Sequence, residues 1–167
     1  MAMQHTPLLM SKIIDRGAKV APYEEIVTAT ENGVRRQTYK ETRDRAHQLA
    51  HALAEAGIAI GDRVGTFMWN GSRHLEAYQA CAGMGAVLHT LNIRLSEKDL
   101  EYIINHAEDQ IIIVDADILP LLEKLEGKMP TVRQVVIATE EGFEGWSTQL
   151  PNAVDYEDFI KDKPTHY

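Results

Sequence analysis

The chain has 167 residues, with 17 Lys and Arg against 25 Asp and Glu and a formal net charge of -8. Its length suits one domain with a hydrophobic core, since domains cluster at about 100–150 residues. The acidic balance excludes a nucleic acid or an anionic membrane surface as the main partner, because either needs clustered Lys and Arg.

The first residues, MAMQHTPLLMSKIIDRG, hold only short apolar runs broken by Ser11, Lys12 and Asp15. They fit neither a signal peptide nor a transmembrane segment, which needs roughly 20 apolar residues. They read as a short amphipathic helix packing through Leu8, Leu9, Ile13 and Ile14, an arm over residues 1–23 ahead of a core at 24–139. From Glu24 to Thr38 two β-prone runs flank Glu31-Asn32-Gly33, and an Asn-Gly pair supplies the positive φ angles of a tight hairpin. Thr38 with Glu41 three residues on forms a capping box, and Ala46, Leu49, Ala50, Leu53 and Ala54 follow at helical spacing up to Gly57.

After Gly61-Asp62 the chain alternates: RVGTFMWN as a strand, SRHLEAYQACAGM as a helix, AVLHTL as a buried strand over Ala86–Leu91, then a helix capped by Ser96 with Leu100, Ile103, Ile104 and Ala107 inward. Ile111 to Val114 is a continuous apolar run, as is VVI at 135–137. Strands buried on both faces need no polar alternation, so these runs predict a parallel sheet covered by helices on both sides, an α/β fold opened by an antiparallel hairpin. The tail, 140–167, is acidic and rich in Pro and Gly and reads as a loop with one short helix at Tyr156–Ile160. The single cysteine, Cys81, has no disulfide partner, which makes the cytoplasm the expected home.

Several motifs invite chemistry and yield to structural readings. Gly83-Met84-Gly85 starts like a dinucleotide fingerprint but follows a helix and precedes a strand, the reverse of what that site needs; the two glycines instead end the helix. His47-Gln-Leu-Ala-His51 lacks the Glu of the zinc-protease pattern and has no third ligand. His74, His89 and His106 read as hydrogen-bonded packing residues, and Ser72 and Ser96 as helix caps. The acidic pairs Glu24-Glu25, Glu108-Asp109 and Glu140-Glu141 read as solvated turn residues, and no phosphate-binding G-x-x-x-x-G-K-[ST] loop is present. What survives is geometric: ligands of open parallel sheets gather beyond the carboxyl ends of the strands. That edge is Trp69-Asn70-Gly71 after the first strand, Leu91 to Arg94 after the second and Asp115 after the third, with Trp69, Asn70, Asn92 and Arg94 as the candidate substrate-binding residues.

The ordered series QTYKETRDRAHQLAHAL, GDRVGTFMWN, RHLEAY and GMGAVLHTLNIRLSEKDLEYIINHAED resembles the adenylate-forming acyl-CoA synthetases, most closely the medium- and long-chain fatty-acid:CoA ligases. The resemblance covers nearly the whole chain and implies the first subdomain of the large N-terminal domain of such an enzyme. The implied parent joins a fatty acid to ATP with Mg2+, then passes the acyl group to coenzyme A. The family's Ser/Thr/Gly-rich loop ending in Pro-Lys-Gly, its aromatic-Thr-Glu motif and its C-terminal lysine do not occur before Tyr167. The resemblance therefore implies an N-terminal fragment that is inactive and binds no cofactor alone, and whose exposed apolar surface favours a homodimer or pairing with the missing C-terminal part. A standalone interaction module, or a fragment of an aryl-acid ligase or adenylation domain, are the other readings.

Overall fold

The computed structural model describes residues 9–30, 33–140 and 145–167. Helix α1 (Ser11–Val20) leads into the antiparallel hairpin β1 (Glu25–Thr30) and β2 (Gly33–Thr38), whose register runs from Glu25↔Thr38 to Thr30↔Gly33. Gly33 has φ +132°, and Glu31 and Asn32 of the expected turn lie outside the described residues. Helix α2 (Tyr39–Glu55) starts at a complete capping box: Glu41 N–H donates to Thr38 Oγ1 at 3.2 Å, and Thr38 N–H donates to the Glu41 carboxylate at 2.8 Å.

Strands β3 (Arg63–Phe67), β4 (Val87–Thr90), β5 (Ile111–Asp115), β6 (Gln134–Ala138) and β7 (Val154–Asp155) form one parallel sheet in the order β4-β3-β5-β6-β7. Helices α3 (Ser72–Met84), α4 (Glu97–Ala107), α5 (Leu119–Glu123) and α6 (Tyr156–Ile160) complete the fold. The apolar run in β5 is explained by two cores. Ile111 and Ile113 pack with Leu49, Leu53, Ala77, Cys81 and Tyr156 on one face, while Ile112 and Val114 pack with Leu100, Ile104 and Leu122 on the other. Each face is dry, so neither selects polar residues.

Four expectations change. Strand β4 is shorter than Ala86–Leu91 and lies at the sheet edge, with Val87 47% exposed, because among the described residues it pairs with β3 alone. Gly83 lies inside α3, and Gly85 alone, at φ +83°, turns the chain. Helix α1 packs on α2 and α3 through Ala18 with Ser11, Ile14 and Gly17 half-buried, leaving Leu9 and Ile13 exposed; Leu8 lies outside the described residues. The tail does more than loop: Val154–Asp155 joins the sheet beside β6, Asp155 caps α6, and Tyr156 and Ile160 enter the core.

The hairpin, α2, α3 and α6 meet at one buried carboxylate. Glu76 is fully buried and accepts from Gln37 Nε2 at 2.7 Å, Arg45 Nε at 2.8 Å and Tyr156 Oη at 2.6 Å. A buried charge of this kind persists only when paired and hydrogen-bonded.

Candidate functional site

In chain order the five parallel strands are arranged 2-1-3-4-5, so the winding direction reverses between β3 and β5. The crevice beyond the carboxyl ends at such a reversal is where open α/β sheets take ligands. The residues that emerge there are Met68 to Asn70 from β3 and Asp115 to Asp117 from β5.

The loop after β3 is held from several sides. Trp69 N–H donates to Asp115 Oδ2 at 2.7 Å, and its indole Nε1–H donates to Asp117 Oδ2 at 2.8 Å. The Trp69 carbonyl accepts from His74 Nδ1 at 3.2 Å, which leaves His74 Nε2 to accept from Thr66 Oγ1 at 2.9 Å. Burial holds the His74 imidazole below its ordinary range, which favours this neutral tautomer. The indole, fixed at both its backbone and its ring nitrogen, remains 49% exposed. Asn70 beside it is exposed. Burial pushes the Asp115 carboxyl up to about 6, partly opposed by the Trp69 N–H and reinforced by Asp117.

After β4 the chain stays on the same edge, since Leu91 N–H donates to Thr66 O at 2.8 Å. Asn92 Oδ1 accepts from Arg94 N–H at 3.0 Å, an Asx turn that presents both side chains at an exposed bend before the Ser96 cap of α4. The structure thus joins Trp69 to Asp115 and Asp117, and joins Asn92 to Arg94, as two neighbouring turns of one sheet edge.

Residues given no binding role in the sequence close the same end. Arg35 of the hairpin donates to both oxygens of Glu140 at 2.8 and 2.9 Å and to Ser72 Oγ at 2.9 Å. Arg73 bridges Glu140 at 3.0 Å and Glu157 at 3.1 Å. Arg35, Arg36, Gln37, Glu41, Arg45, Arg73 and Glu157 line a cleft of about 250 Å³. Its guanidinium groups are charge-compensated: Arg36 pairs with Glu25 and Arg45 with Glu76 and Glu157. No sequence signal marks these pairs, because their members lie up to 112 residues apart.

The other sequence readings divide. Ser96 caps α4, whereas Ser72 caps nothing: it lies within α3, its N–H donates to Thr28 Oγ1 at 3.1 Å, and its hydroxyl serves Arg35. His47 Nδ1 and His51 Nε2 donate to the carbonyls of Thr165 and His166 at 3.0 and 2.7 Å, fastening the C-terminal strap to α2. His106 stacks on Tyr102. Asp109 is no solvated turn residue but fully buried against His89, and Glu141 lies outside the described residues.

Chemically, this edge offers binding groups: an aromatic face, an amide, a guanidinium and carboxylates. Cys81 is buried with its thiol pushed up to about 12, far from a nucleophile's range. Among the described residues no group of three or more His, Cys, Asp or Glu is arranged to hold a metal ion.

A protein-family model described as AMP-binding enzyme matches residues 14–166. The chain is 43% identical over 145 residues to a long-chain-fatty-acid–CoA ligase of Thermus thermophilus, covering 86% of this chain and 27% of that protein. It is 35% identical over 166 residues to a medium-chain-fatty-acid–CoA ligase of Ectopseudomonas oleovorans, covering 99% and 30%. A 3-methylmercaptopropionyl-CoA ligase of Ruegeria pomeroyi is 38% identical, covering 95% and 29%. The chain therefore spans less than a third of the length of these relatives. Two solved structures share the fold: the anthranilate CoA ligase AuaEII in complex with anthranoyl-AMP, at TM-score 0.76 and 22% identity over 100% of this chain and 30% of that one, and coronafacic acid ligase from Pectobacterium brasiliense, at 0.79 and 20% over 96% and 30%.

Proposed function

The chain belongs to the AMP-binding enzyme family, and from that membership we propose that it is the N-terminal part of a fatty-acid:CoA ligase and is non-catalytic by itself. The parent reaction has two steps. The carboxylate of a fatty acid attacks the α-phosphorus of ATP, giving an acyl-adenylate and releasing pyrophosphate; the thiol of coenzyme A then displaces AMP to give the thioester. Adenylation converts a poor leaving group into a good one.

The observation that carries this reading is the family match over 14–166 in a chain that spans only 27–30% of similar fatty-acid:CoA ligases. The chemistry of the described side chains supports it. Both steps develop charge at a phosphoryl or acyl centre and need preorganised cations or amide donors there. The guanidinium groups of Arg35, Arg45 and Arg73 are committed to carboxylates. ATP, Mg2+ and the reacting centre are accordingly assigned to the phosphate-binding and metal-binding motifs of the longer parent. This chain supplies scaffold and one wall of the ligand crevice. We assign Trp69 and Asn70 to contact a planar or amide-bearing part of a substrate, and Asn92 and Arg94 to a polar or anionic part. Its home is the cytoplasm, in keeping with the buried thiol and with the described residues containing no helix long and apolar enough to cross a membrane.

ATP–pyrophosphate exchange tests this directly. The 167-residue chain should give no exchange with any acid. The longer polypeptide, carrying the Pro-Lys-Gly loop, should exchange with medium- and long-chain fatty acids in preference to benzoate-type acids. Exchange by the chain alone, or a preference for aryl acids, would overturn the proposal.

A further inference from the structure

Outside the crevice residues, one buried pair has no part in the chemistry so far. His89 lies on the edge strand β4, paired in register with Gly65 of β3. Asp109 follows α4, after Glu108 in the left-handed conformation at φ +55°. His89 Nδ1 donates to the Asp109 carboxylate at 2.8 Å to one oxygen and 3.0 Å to the other. Asp109 is fully buried, whereas the His89 side chain is 26% exposed.

The fold makes room for this carboxylate. At Gly65 a Cβ would stand 3.2 Å from Asp109 Oδ2 and 3.2 Å from Ile112 Cγ1, so the carboxylate lies directly over the central strand. The backbone at Asp109 is fixed as well: its carbonyl accepts from Thr131 Oγ1 at 2.9 Å and its N–H donates to Ile104 O. The charge of Arg63, at the start of β3, also acts on Asp109; its guanidinium bonds Ala107 O and Glu108. Burial raises the Asp109 carboxyl, and the hydrogen bond and charge of His89 pull it back. An apolar side chain would fill such a site at no electrostatic cost, and buried pairs retained in spite of that cost can serve to fix one arrangement.

What this pair fixes is set by its place in the chain. His89 and Asp109 are the two feet of one excursion: β4 ends at Thr90, Asn92 to Arg94 make the exposed turn, and α4 returns to Ala107. Among the described residues β3 is the only strand paired with β4, so no second ladder on its outer side limits sliding or fraying. We propose that His89 and Asp109 are a positioning pair that closes this excursion at its base and holds the Asn92–Arg94 turn against the carboxyl edge. The functional consequence rests on the crevice reading above; the positioning itself does not.

Amide hydrogen exchange on the 167-residue chain separates the two. Asp109→Ala removes the acceptor and leaves no buried charge, because His89 can be hydrated. Exchange at Leu91, Arg94 and Leu95 should accelerate at least ~10-fold, the lower range for losing a hydrogen bond to a charged group, while Ile113 and Val136 in the central strands keep their rates. His89→Asn, whose amide N–H stands near the Nδ1 position, and Asp109→Asn, whose carbonyl still accepts, should both retain protection. If Asp109→Ala does not fold, His89→Leu in the Asp109→Asn background makes the same cut. Unchanged rates at 91–95, or equal acceleration at Ile113 and Val136, would overturn the proposal. In the longer polypeptide Asp109→Ala should raise a substrate KM with kcat retained, whereas His89→Asn and Asp109→Asn should each keep the wild-type KM. A wild-type polypeptide without ligase activity would instead remove the crevice reading and leave the exchange result standing.

Discussion

Tyr156→Phe tests whether the tail belongs to the fold. The phenol is fully buried and donates to Glu76 Oε2 at 2.6 Å, while Gln37 and Arg45 both bond Oε1. Burial and the adjacent carboxylate hold the phenol well above its ordinary 10, so it remains a donor throughout the working range. Removing it deprives Oε2 of its hydrogen bond inside the core, at nearly constant side-chain volume. Hydrogen bonds to charged groups contribute about 1.5–3 kcal/mol, so a loss of about 2 kcal/mol is expected. With a urea slope of about 2 kcal/mol/M for a small domain, the midpoint should fall by about 1 M at unchanged slope. Far-UV circular dichroism at neutral pH reads this, with Tyr23→Phe as the control because Tyr23 is 84% exposed. A shift below about 0.2 M, or equal shifts in the two variants, would refute the reasoning.

The remaining predictions concern the crevice and its supports. Burial raises the Asp115 carboxyl from 3.8 to about 6, so its protonation stabilises the folded state fully below about pH 4, and that contribution is lost as pH rises through about 6. Asp115→Asn, whose amide oxygen can still accept the Trp69 N–H, should gain about 2 kcal/mol relative to wild type between about pH 4 and 7 in urea titrations; parallel profiles would contradict this. Gly65→Ala should destabilise by about 1–3 kcal/mol through the crowding of Asp109 and Ile112, measured by thermal melting; an unchanged melting temperature would count against that packing. Cys81, fully buried with its thiol near 12, should react with a thiol reagent at about pH 8 only after urea is added. Fast labelling of the native chain would show the core to be open there.

The features legible in the sequence are those whose signal is local. The capping box Thr38-x-x-Glu41, the helix Ser72–Met84 and the apolar run of β5 each carry their cause within a few residues, as a side chain reaching its own backbone or as the demand of two dry faces. Strand order then puts Trp69, Asn70, Asn92 and Arg94 on one edge without any side-chain contact being known. The features that escape are settled between distant elements. Helix α1 carries apolar residues on more than one side, and its partners choose the side with Gly17 and Ala18, where small residues permit close approach: a Cβ at Gly17 would stand 3.2 Å from the Tyr39 ring. Charged residues mislead most. Glu76, Asp109 and Asp115 look in sequence like ordinary helix or turn carboxylates, yet the first two are fully buried, and the principal partners of all three come from other elements. A local reading weighs burial by hydrophobicity and sends such residues to the surface. The fold can instead keep a carboxylate inside wherever it supplies donors, and here those buried carboxylates tie the hairpin, the edge strand and the tail to the sheet that forms the crevice.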